Sequence, residues 1–127
     1  ETRELEPGEE AMVPAGDPHR FWNAGDERLK LRGEISPALD VEHFMYVIYG
    51  VTNDYPSTPS GMPLNPLRLA PVLDRFDDLL YLAHVPVALQ RLGVRAVAPI
   101  GRLLGYSNEY PEYVPEERRD ALNVAGD

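Results

Sequence analysis

Three histidines, His19, His43 and His84, are the only imidazoles in 127 residues, and there is no cysteine. The missing thiols exclude disulfide frameworks, thiolate zinc sites and cysteine nucleophiles. His43 and His84 have no partner at ligand spacing and are expected to be surface or hydrogen-bonded histidines. Asp74, Asp77 and Asp78 gather three carboxylates, but without an EF-hand loop around them they predict a solvated helix face. Neither a zinc-protease HExxH, nor a GxSxG elbow, nor a phosphate-binding glycine loop occurs. Catalysis by any of those routes has no residues to run on.

One fixed-spacing pattern carries more. Residues 8–23 place Gly8, Pro14, Gly16, His19 and Asn23 at intervals of six, two, three and four. Gly8 suits a tight turn into a strand, and Pro14-Ala15-Gly16 suits a corner. His19 and Phe21 would share one strand face by period two. This pattern resembles the second conserved motif of the cupin superfamily, with every fixed position filled. The resemblance implies a double-stranded β-helix barrel in which His19 is the one histidine that this motif gives to a divalent iron, manganese, nickel or zinc site. It also implies that Phe21 and Trp22 shape the pocket or the barrel wall. The other ligands of such a site come from an upstream motif with two histidines and a glutamate. The chain begins at Glu1 and contains no HXH, so it is expected to be the C-terminal part of a longer cupin chain. A Gly/Pro/Asn-rich loop and a hydrophobic segment ending near Tyr113 resemble the extension of a group of small bacterial cupin-domain proteins.

The elements that would position these residues follow from periodicity. Leu29, Leu31 and Ile35 alternate with charged residues, and turn signals at Pro7-Gly8, Gly16-Asp17-Pro18 and Asn23 to Asp26 punctuate the segment before them. Strands are expected at roughly 2–6, 10–14, 18–23 and 27–36. Residues 1–36 are therefore predicted as part of a cupin β-barrel and 37–127 as an α-helical extension. A first helix is predicted from Ser36-Pro37 to Gly50, with Val41, Phe44, Met45, Ile48 and Tyr49 as its apolar stripe. Residues 51–66, with four prolines, are predicted as a loop. A second helix is predicted over 67–83 and a third over about 86–104, with a kink near Pro99. On that third helix Arg91, Arg95 and Arg102 fall within about 40° of one another, opposite Leu89, Leu92, Val97, Ile100, Leu103 and Leu104. The acidic Tyr/Pro tail over 107–127 is predicted to fray.

Charge sets the partners. Twelve basic against twenty-one acidic residues give a net charge of -9, with no basic cluster, which speaks against nucleic acid. No apolar run free of arginine and proline is long enough for a membrane span, and a cytoplasmic location is expected. Two functional readings remain open. One is a cupin-type small-molecule-binding module, with a divalent metal in the complete barrel. The other is a metal-free cupin whose helical extension mediates self-association, as a homodimer, or contacts a membrane surface. The arginine-striped helix accordingly has three possible partners: the protein's own core, a second copy, or anionic lipid.

Overall fold

The computed structural model describes residues 2–81 and 85–124, and His84 lies outside them. Four α-helices form in chain order: α1 (Val41–Asp54), α2 (Pro66–Arg75), α3 (Val87–Leu103) and α4 (Glu116–Arg119). A 3₁₀ turn, Pro111–Tyr113, precedes the last. Among the described residues there is no strand; the only sheet-like pairing is an isolated antiparallel bridge between Ser57 and Pro63. The fold is small and all-α, so the expected β barrel of the cupin kind is overturned.

The chain divides into two compact units, residues 1–33 and 34–127. In the first, the expected strands are irregular chain, and the turns fall at or beside the expected turn signals. Glu9 donates its amide to the Glu6 carbonyl at 3.0 Å and Asp17 to the Pro14 carbonyl at 3.2 Å, with Gly8 and Gly16 at φ 90° and 84°. Proline at 7, 14 and 18 removes ladder donors every few residues. The alternation of Leu29, Leu31 and Ile35 with charged residues does not sort the segment into a buried and an exposed face, since all three are exposed. Period two makes a strand only where a neighbouring strand and a core accept it.

The second unit holds the core. Phe44, Val47 and Val51 of α1 pack with Val72 of α2, Phe76 and Tyr110. Phe76 meets Phe44 edge-on at 5.5 Å and His43 at 5.0 Å. The buried face of α1 is thus turned by about one residue, ~100°, from the stripe that the sequence suggested. Val47 and Val51 are buried where Met45 and Tyr49 were expected, and the last two are exposed. Both sides of α1 are apolar, so its partners decide which one faces in.

Helix α1 begins after Asp40 rather than at Ser36-Pro37, and it runs past Gly50 to Asp54. Gly50 is there because Tyr113 lies on it: a Cβ at this position would stand 2.2 Å from the Tyr113 ring. The loop that follows is shorter than expected and is folded on itself, with Thr58 donating to the Met62 carbonyl at 2.8 Å and Gly61 to the Thr58 carbonyl at 2.9 Å. Asn65 then starts α2 by accepting the Leu67 amide at 3.0 Å, with Pro66 in the first helical position. As far as Val124 the tail packs instead of fraying, and residues 125–127 lie outside the described ones. Ser107 Oγ accepts the amides of Glu109 and Tyr110, and Tyr110 and Val114 are buried. Arg118 makes a two-pronged pair with Glu42 at 2.7 and 2.6 Å, which holds the Glu42 carboxyl below its usual range.

Candidate interaction surface

The crossing of α2 and α3 decides what α3 can offer. Its inward residues are small. Ala98 and Gly101 are buried, and a Cβ on Gly101 would lie 2.2 Å from the Leu67 carbonyl oxygen and 2.8 Å from Pro71 Cγ. Pro71 has no amide proton, so it leaves the Leu67 carbonyl without its usual i+4 donor. Gly101 lets α3 settle onto that spot, closer than any side chain would permit.

The arginine side of α3 also points toward α2. Arg91 Nε donates to the Tyr81 hydroxyl at 2.9 Å, and Arg102 pairs with Asp74. Arg91 and Arg95 line a cavity of about 30 Å³ together with Asp74 and Asp77. The aspartates expected as a solvated face thus serve partly as counter-charges for α3. A second cavity, about 240 Å³, lies among Leu39, Asp40, Arg75 and Phe76. Arg75 there is bonded to Asp40 at 3.0 Å and to Glu109 at 3.2 Å. Both cavities are smaller than the ~300–1,000 Å³ common for small-molecule sites.

What remains outward on α3 is apolar. Leu89, Leu92, Ile100, Leu103 and Leu104 are all exposed, Leu103 to 88% and Leu92 to 67%. Of the apolar residues that the sequence set opposite the arginines, only Val97 is even half covered. The spacing revealed a two-faced helix, and of the three partners open to its apolar face, α2 does not cover it. Small residues at 98 and 101 gave no hydrophobic signal, although they make the contact.

The motif residues occupy a different setting. His19 is exposed, and its Nδ1 donates to the Asp17 carbonyl at 2.9 Å. Phe21 and Trp22 are exposed, with the Arg20 guanidinium 5.1 Å from the Trp22 ring centre. Asn23 closes a local turn, accepting the Gly25 amide at 3.1 Å and donating to the Glu27 carbonyl at 2.7 Å. Gly8, Pro14 and Gly16 likewise serve turns. No group of three or more His, Asp or Glu side chains among the described residues is placed to hold a metal ion. His43, expected to be a surface or hydrogen-bonded histidine, is fully buried and hydrogen-bonded: its Nε2 donates to the Glu109 carbonyl at 3.0 Å, while Nδ1 has no partner. Its sequence neighbours gave no sign of this, because it lies just off the apparent apolar stripe.

None of the described helices is long and apolar enough to cross a membrane. No family model, curated protein or solved structure matches the chain.

Proposed function

We propose that this chain is a self-associating helical module that binds a second copy of itself through the outer face of α3. One observation carries the reading. The bulky apolar side chains of α3 are exposed while its small and arginine-bearing sides are engaged with α2. A scattered exposed leucine needs no explanation, but a row along one helix marks a contact surface. Full burial of a leucine is worth about 1.5–3 kcal/mol, so several leucines on one face reward a partner. The helix is ~25 Å long, which places a two-helix contact toward the lower end of specific interfaces, ~1,200 Å². Dimerisation in the micromolar range is the expectation.

Size-exclusion chromatography with light scattering tests this on the full chain. The wild type should run as a dimer that dissociates on dilution. Leu92→Asp and Leu103→Asp should each give monomers with unchanged far-ultraviolet circular dichroism, because both side chains are exposed within the protomer. A wild type that stays monomeric at high concentration, or Asp variants that stay dimeric, would overturn the reading.

A further inference from the structure

The orientation of the pairing follows from the two borders of the exposed face, and this inference rests on the self-association reading above. Leu89, Leu92, Ala96, Pro99 and Leu103 recur at intervals of three, four, three and four. That is the spacing of a heptad seam, which two helices can share along their length. A bilayer asks only for a broad apolar face. A seam this regular suits another helix.

The borders of the seam differ in charge. Arg95 and Arg102 follow one side, while Gly93 and Ile100 follow the other, and α3 contains no acidic residue. Antiparallel pairing brings like borders together, so Arg95 would lie near the partner subunit's Arg102, and symmetry would repeat the repulsion. Parallel pairing brings unlike borders together. Each arginine border then faces an uncharged one, and the long Arg95 stem can cover the partner subunit's Ile100 while its guanidinium stays in water. The chain's net charge of -9 argues against an anionic lipid as occupant. We infer that two copies pair their α3 helices in parallel about a two-fold axis, with Leu89, Leu92 and Leu103 each facing their own counterpart.

The absence of cysteine makes the test clean. In a parallel pair, Leu92→Cys and Leu103→Cys should each crosslink to themselves under mild oxidation, since seam positions face one another within disulfide reach, about 4.4–6.8 Å between Cα atoms. The yield on a non-reducing gel should exceed that of Leu64→Cys, which is exposed and outside α3, by about tenfold or more, because pairing raises the local thiol concentration. A mixture of the two seam variants should give no extra product between them, as the positions are ~16 Å apart along the helix. Two different failures can be told apart. A wild type that light scattering shows to be dimeric, with crosslinks only between Leu92→Cys and Leu103→Cys chains or at neither position alone, would overturn the parallel pairing and leave self-association standing. A monomeric wild type, whether or not it sediments with phosphatidylserine vesicles, would overturn both.

Discussion

Adding one methyl group at residue 101 should open the α2–α3 crossing, while the same change at residue 93 should not. In Gly101→Ala the new Cβ would meet the Leu67 carbonyl oxygen at 2.2 Å, against an ordinary contact beginning near 3.4 Å. The obstacle is backbone oxygen and a proline ring, neither of which can swing aside. The helices must therefore part by about 1 Å, and a gap of that size forfeits a quarter to a half of the dispersion across it. Overpacking of this kind costs about 1–3 kcal/mol, and the rigid neighbours place the cost near the upper end. Alanine recovers about 1 kcal/mol of helix propensity, leaving a net loss of about 2 kcal/mol. For a unit of this size that lowers the melting temperature by roughly 8–16 °C. Nothing lies within 4 Å of a Cβ on Gly93, so Gly93→Ala should gain about 0.5–1 kcal/mol. Urea melts followed by circular dichroism, at concentrations where light scattering shows monomer, measure both. A Gly101→Ala protein as stable as the wild type would refute the close approach of α3 to the Leu67 carbonyl.

Two further outcomes follow from the core and the tail. Phe76, 3% exposed and in edge contact with both Phe44 and His43, should cost about 3–5 kcal/mol when replaced by alanine, a large part of the ~5–15 kcal/mol of a typical domain; chemical denaturation measures the loss. Burial first, and then the Asp54 carboxylate that accepts its proton at 2.8 Å, raises the Tyr113 phenol above its ordinary 10.0. A phenol raised by folding contributes stability that is complete below pH 10 and falls away as pH climbs through the folded value. Tyr113→Phe should therefore flatten the loss of stability above pH 10 in melts across pH. Some slope should persist, because burial also raises Tyr110, which Arg68 only partly offsets.

Helices were more legible in this sequence than the architecture they build. The ends of α3 were placed within a residue or two, since a 17-residue amphipathic run is long enough for its period to stand out. Residues 8–23 were misleading for a physical reason. Glycine, proline and asparagine at fixed spacing favour tight turns, whatever comes between them. The cupin motif draws on those same residues to bend barrel strands, and here they bend a segment with no strands among the described residues. The spacing reports where the backbone turns. Only pairing partners would turn those bends into a barrel, and no single short segment can specify them.

The partner of the α3 face was left open in the sequence for a different reason. Placing Leu89, Leu92, Ile100 and Leu103 inward, one of the three options, would require that a helix bury its largest apolar side chains. Burial also depends on how near two backbones can come, and there the smallest residues win. Ala98 and Gly101 bring α3 onto the Leu67 carbonyl, which Pro71 leaves without its i+4 donor, and Arg102 fastens the crossing to Asp74 from the side. Leucines at those inward positions would hold the helices apart. With the inner contact assigned to small residues, the large ones on the far side are free for a different task, and their 3–4 spacing suits another helix better than a solvent boundary. Sequence patterning thus identified which side chains belong together on α3; the close approach at Gly101 turns them away from α2 and leaves them available for the self-association proposed above.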